Sequence, residues 1–135
     1  MLRDIKLFKD DVVTVYIICS SEETRTMFIS RLNDEYTDLD VPQTPIGLAK
    51  NGIDFVRLHP GAQREAPAMF KYQGKYYMIT SGATGWDPNA ARYWMADEIF
   101  GEWKNMGDPC VNENDIPHPA NLTFRTQSTN VIPVD

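Results

Sequence analysis

A chain of 135 residues, 42% hydrophobic and 24% charged, is long enough to bury one core. Its net charge of −6, with no basic stripe, excludes the electrostatic footprint of a nucleic-acid binder and leaves neutral sugars or small molecules as fitting ligands. No run nears the ~20 apolar residues of a membrane span, and Met1-Leu2-Arg3-Asp4 lacks the hydrophobic core of a signal peptide.

In chain order, residues 3–8 read as a strand and residues 12–20, a β-branched run ending in polar side chains, as a buried second strand. Ser21-Glu22-Glu23-Thr24 is a turn into a third strand at 26–32, followed by the acidic turn Asn33-Asp34-Glu35-Tyr36. Residues 40–54 hold Pro42, Pro45, Gly47 and Gly52 without a clear period, which predicts a loop. A short strand follows at 55–58, and His59-Pro60-Gly61-Ala62 turns the chain back.

At Arg64-Glu65-Ala66-Pro67 a loop ends, an apolar strand begins at Ala68-Met69-Phe70, and a carboxylate stands at the join. A carboxylate at the mouth of an apolar strand is held by backbone and partly desolvated. That raises its pKa toward the range where it can donate a proton near neutral pH. The plainer reading is a solvated loop glutamate.

Gln73-Gly74 is a hairpin signal, and Tyr76-Tyr77-Met78-Ile79 a strong strand. The connection Ser81-Gly82-Ala83-Thr84-Gly85-Trp86-Asp87-Pro88-Asn89 is small and polar around one large aromatic. Trp86 has two readings: an indole that stacks on a pyranose while Asp87 and Asn89 bond its hydroxyls, or a plug between two sheets. A strand at 92–96, the acidic turn at 97–100 and Gly101-Glu102-Trp103 follow, with Trp94 and Trp103 as core residues. A Pro/Asn-rich loop at 112–121 leads to Phe124 and Gln127.

The chain repeats itself. Phe8 to Ser20 overlays Phe70 to Ser81 as strand, turn, strand; each copy continues with another strand and an acidic turn; and a third copy opens near Gln127-Ser128-Thr129-Asn130-Val131-Ile132. Asp4, Glu65 and Gln127 stand four or five places before a strand hydrophobe, 61 and 62 residues apart. About four short strands per copy fit a propeller blade, whose first strand lines the central channel. These three side chains would then face one another around an axis. The prediction is an all-β fold, a partial β-propeller of four-stranded antiparallel blades over 1–135, with repeats at about 3–63 and 64–125 and the start of a further blade at 126–135. Four blades of ~60 residues would need about 240, so the chain is expected to be a fragment or to associate through its open edges.

Cys19 and Cys110 make neither a metal pattern nor a disulfide framework and are expected as buried thiols, while His59 and His118 show no ligand spacing. Neither a metal nor a cofactor is expected.

Four motifs resemble the five-bladed propeller glycosidases of glycoside hydrolase family 43. They are Arg3-Asp4-Ile5-Lys6-Leu7-Phe8, Arg64-Glu65-Ala66-Pro67-Ala68-Met69-Phe70-Lys71, Thr80-Ser81-Gly82-Ala83-Thr84-Gly85-Trp86-Asp87-Pro88-Asn89, and Thr126-Gln127-Ser128-Thr129. Within the family they look most like the galactan exo-β-1,3-galactosidases. The resemblance implies inversion at the anomeric carbon, with an acid and a base roughly 6.5–9.5 Å apart around the attacking water. It implies Glu65 as general acid, Asp4 as the carboxylate that orients it and keeps its pKa raised, and Gln127 at the position of the base, although a neutral amide is a poor base. The family's usual aspartate base lies on a first blade that this sequence lacks. The acidic glycine turn expected after Phe8 is here Asp10-Asp11-Val12-Val13.

The implied function is part of an inverting exo-glycosidase acting on β-1,3-galactan or arabinogalactan side chains, with a periplasmic or secreted setting. An arabinofuranosidase or β-xylosidase of the same fold is the alternative enzyme, and a truncated sugar-binding or interaction module the alternative class. Partners expected are an oligo- or polysaccharide and either missing parent-chain blades or a second copy, with no nucleic acid and no membrane.

Overall fold

The computed structural model describes residues 2–21, 26–40, 50–58, 60–110, 120–132 and 134. The expected turn at 22–24, most of the loop at 40–54, the tail at 112–119, and both His59 and His118 lie outside the described residues.

Among the described residues, eight strands form two four-stranded antiparallel sheets in simple sequence order. The first holds β1 (Arg3–Lys9), β2 (Val15–Ser21), β3 (Thr26–Arg31) and β4 (Phe55–Leu58). The second holds β5 (Arg64–Tyr72), β6 (Lys75–Gly82), β7 (Arg92–Ala96) and β8 (Lys104–Asn105). This is a partial β-propeller of two blades. Residues 126–132, expected to open another blade, form no strand.

Two turns show how local chemistry sets the strand ends. At Gln73-Gly74 both residues have positive φ, the paired left-handed geometry of a tight hairpin, and glycine adopts it without a Cβ penalty. The other hairpin turns later than its hydrophobic run suggested: Val12 and Val13 lie exposed at the tip, and β2 starts at Val15. The reason is register. Phe8 opposite Tyr16 puts Tyr16 and Ile18 into the core, so the two valines must turn, closed by Val13 N–H to Asp10 O at 3.0 Å.

One core lies between the sheets. Tyr16, Ile18, Met27, Ile29, Val56 and Leu58 face Tyr76, Met78, Trp94, Ala96, Ile99 and Trp103. Trp94 and Trp103 are buried, and each indole N–H finds an oxygen: Thr80 Oγ1 at 3.0 Å and Ile99 O at 3.0 Å. Cys19 is buried, Cys110 only half-buried, and burial pushes both thiol pKa values up.

The registers show how the repeat builds this core. Phe8 opposite Tyr16 corresponds to Phe70 opposite Tyr77, so Ile18 and Ile29 match Ile79 and Tyr93. Tyr16, Ile18 and Ile29 are covered by the second sheet, whereas their counterparts line an open cleft on its far face. Conversely Leu7 and Ile17 line an open cleft on the first sheet, while their counterparts Met69 and Met78 pack in the core. Each sheet therefore buries the face opposite to its neighbour's, which is how successive propeller blades stack.

Register also corrects the overlay of the three polar residues. Glu65 pairs with Ser81 as Arg3 pairs with Ser20, so Arg3, not Asp4, is the counterpart of Glu65, and the spacing of Arg3, Glu65 and Gln127 is 62 throughout. Asp4 instead matches Ala66. Both stand in a β-bulge with positive φ, 52° and 49°.

A buried aspartate ties the sheets together away from the bulges. Asp10 accepts from Lys71 Nζ at 2.8 Å, Tyr76 OH at 2.5 Å and its neighbour's N–H at 2.7 Å. Burial pushes its pKa up, but these donors outweigh it and hold the carboxyl below its ordinary value. A folded-state pKa below the unfolded one contributes stability that is present above about pH 4 and lost as pH falls through the folded value. Thermal melts from pH 6 to pH 2 should therefore show a falling Tm below about pH 4, and Asp10→Asn should flatten that part of the curve. Equal slopes in both proteins would assign the acid sensitivity to other groups.

Candidate active site

The site forms where β5 begins. Arg64 anchors the strand from below: Nε donates to Thr80 Oγ1 at 3.1 Å and Nη2 to Thr80 O at 2.7 Å and Ala90 O at 3.2 Å. Burial, with Arg92 nearby, lowers its pKa to about 10, so it remains a cation. The bulge follows, with Ala66 in the left-handed region and Pro67 fully buried.

The bulge decides where Glu65 points. Ser81 and Ile79, two apart on β6, share a face, so their partners Glu65 and Ala68 share one although they are three apart. Plain alternation would place Glu65 on the face of Met69, which packs against the core. The extra residue turns the carboxylate away from it.

Around Glu65 the structure brings together residues far apart in sequence. Gln127 Nε2 donates to Glu65 Oε1 at 3.2 Å and to the buried Ser81 Oγ at 2.7 Å. Asp4 Oδ2 accepts from Ala66 N–H at 3.3 Å, and Ser128 Oγ donates to Ala66 O at 3.1 Å. Burial and then the Asp4 charge push the Glu65 pKa up, against the Gln127 hydrogen bond and the cations Arg64 and Arg3, which pull it down. The balance lies upward, the direction that suits a proton donor.

Gln127, expected at the position of the base, is in direct contact with Glu65 through that 3.2 Å hydrogen bond, whereas an inverting acid and base stand roughly 6.5–9.5 Å apart around a water.

The loop after β6 forms the other wall. Asn89 clamps its ends: Oδ1 accepts from Gly82 N–H at 2.6 Å, and Nδ2 donates to Gly82 O at 3.1 Å and Thr84 Oγ1 at 2.8 Å. A Cβ on Gly82 would lie 3.1 Å from the Asn89 side chain, so glycine is what lets the clamp close. Asn89, expected to bond sugar hydroxyls, thus has its amide engaged in the loop. Trp86 at the tip is fully exposed, so it does not plug a gap between the sheets. Thr123 Oγ1 donates to Asn89 O at 2.6 Å and joins this loop to the kinked turn Ala120–Arg125. Thr123, Phe124 and Arg125 all have positive φ, a strained run that delivers Gln127 to Glu65.

The resulting cleft measures about 520 Å³ and is lined by Asp4, Glu65, Ser81, Trp86, Asp87, Arg125 and Gln127, among others. Ser81, Arg64 and Arg125 carried no expected role. A serine at the head of a glycine-rich stretch reads as a turn residue; the signal that reveals it is its pairing opposite Glu65.

No family model matches the chain, and none of the curated proteins matches it. Solved structures do. A GH43 β-1,3-galactosidase solved with galactodeoxynojirimycin is 44% identical with a TM-score of 0.82, over 99% of this chain and 34% of that one. An exo-β-1,3-galactanase from Clostridium thermocellum is 31% identical with a TM-score of 0.74, over 99% and 24%. An exo-β-1,3-galactanase from Phanerochaete chrysosporium, solved with β-1,3-galactotriose, is 26% identical with a TM-score of 0.63, over 78% and 22%. The chain thus spans about a third or less of the length of these three structures.

Proposed function

We propose, from a chain that belongs to glycoside hydrolase family 43 and carries two four-stranded blades of its propeller, that it holds the acid half of an inverting exo-glycosidase site for β-1,3-galactan or related arabinogalactan side chains. The observation that carries this is Glu65, a carboxyl whose proton affinity is raised by burial and by Asp4 at the edge of a cleft with an exposed indole. The sugar is taken from the similar structures, whose bound galactodeoxynojirimycin and β-1,3-galactotriose are galactose-type ligands.

In this reading protonated Glu65 gives its proton to the glycosidic oxygen as the bond to the anomeric carbon breaks. Asp4, tied to the backbone beside Glu65, keeps that proton in place by its charge. Trp86 stacks on the apolar face of the pyranose, and Asp87 accepts from its hydroxyls. Asn89 acts one step back, holding the loop that presents both. The attacking water must give up a proton on the opposite face. Gln127 is an amide in contact with Glu65, so we assign that step to the remainder of the family fold.

Incubation of the chain with β-1,3-galactan and with aryl galactoside, arabinofuranoside and xyloside tests this. Galactose released as the α-anomer, seen by NMR before mutarotation, is the expected product. Release of arabinose or xylose instead would move the assignment to the other enzymes of this fold. Binding of galactan without release supports a sugar-binding module instead.

A further inference from the structure

We propose that Ser81 is a positioning residue whose hydroxyl holds the Gln127 amide against Glu65. This rests on the reading of Glu65 as proton donor and adds the group that sets what the donor feels.

Ser81 and Glu65 are direct partners across β5 and β6, and Ser81 is 4% exposed, so its hydroxyl has a fixed place. Gln127 has neither constraint: its side chain is exposed, and its segment belongs to no strand. A glutamine side chain free to rotate would not stay at a carboxylate in water. The structure shows what retains it. The contact to the fixed serine is the short one, 2.7 Å, and the contact to Glu65 the longer, 3.2 Å.

The amide uses one N–H on each acceptor, and this arrangement suits an ionised Glu65. Turned over, the amide would set its oxygen against a Glu65 oxygen, which is tolerable only when Glu65 is protonated. Ser81 Oγ accepts from the amide nitrogen and so holds the amide in the first arrangement, the one that suits the ionised acid. Ser81 thereby acts through Gln127 to favour the ionised acid, against burial and Asp4. The other charged groups facing Glu65 are Arg3 on β1 and Arg64 on β5, with Asp87 and Arg125 on the cleft wall.

The test is an NMR titration of the Glu65 carboxyl carbon, assigned by its absence in Glu65→Gln, in the full chain and in Ser81→Ala, Gln127→Ala and the double variant. Ser81→Ala should raise the midpoint by roughly half a unit, with Gln127→Ala shifting it the same way and at least as far. The double variant should match Gln127→Ala alone, and Ser81→Thr should restore the original midpoint. An unchanged midpoint in Ser81→Ala overturns the proposal, as does a shift of equal size in the Gln127→Ala background. Should Ser81→Ala not fold, Ser81→Cys keeps the size with a weak acceptor and is read the same way. No catalysis is measured, so this outcome is independent of whether the chain hydrolyses galactan.

Discussion

In the proposed reading, Glu65→Gln is expected to lower kcat on β-1,3-galactan by about 10²–10⁴-fold, the range contributed by a positioned general acid. The loss should depend on the leaving group. An aryl galactoside whose phenolate departs without a proton should lose far less than galactan, because only the sugar leaving group needs protonation. Equal losses on both would show that the substitution damaged binding or folding rather than proton donation. Asp4→Asn supplies the complementary result: with the neighbouring charge gone, the Glu65 pKa falls, and the alkaline limb of kcat/KM should move to lower pH.

Glu65→Gln should also make the protein more stable. A carboxyl whose folded pKa is raised contributes stability below its unfolded pKa, and that contribution is lost as pH rises through the folded value. Above that unfolded pKa the unfolded chain ionises Glu65 more readily than the fold does. Glu65→Gln removes the charge and keeps the shape, so Tm at pH 7 should rise while activity falls. A lower Tm at pH 7 would contradict the raised proton affinity.

Trp94→Ala should cause the largest loss of stability, about 3–5 kcal/mol, as expected for emptying a buried aromatic site. Trp94 is 5% exposed in the core between the sheets, and its indole N–H bonds Thr80 Oγ1, the same oxygen that receives Arg64 Nε. Trp94→Phe keeps most of the packing and loses the hydrogen bond, which should cost about 1 kcal/mol. Urea unfolding of the three proteins separates the terms. If Trp94→Phe were as damaging as Trp94→Ala, the link through Thr80 to the strand bearing Glu65 would outweigh the packing.

The repeat was legible because each copy brings a β-branched or aromatic strand pair and an acidic turn, and those patterns survive unequal loops. Glu65 was legible because a charge abutting an apolar strand stands out. The bulges were not, since one extra residue breaks alternation without leaving a composition of its own; Asp4 was consequently matched to Glu65 when Arg3 holds that register. Val12 and Val13 were read into β2 because hydrophobicity alone does not tell a strand end from an exposed hairpin tip. β8 escaped for the opposite reason: Lys104–Asn105 is two polar, exposed residues paired only through backbone to β7. Ser81 and Gln127 meet through tertiary structure, 46 residues apart, and neither residue type announces the other.

The bulge at Ala66 divides β5 into two stretches that answer to different demands. From Ala68 onward, side chains are allotted to faces by what the interior needs to fill; before it, Glu65 is aimed by what the cleft must hold. Because the offset falls between them, neither set constrains the parity of the other. Selection can exchange one apolar residue for another along Ala68, Met69 and Phe70 without rotating the Glu65 carboxylate, and can alter Glu65 without reversing inside and outside for the rest of the strand. The left-handed residue that looks like a local defect is the joint that lets packing and chemistry vary separately on one strand.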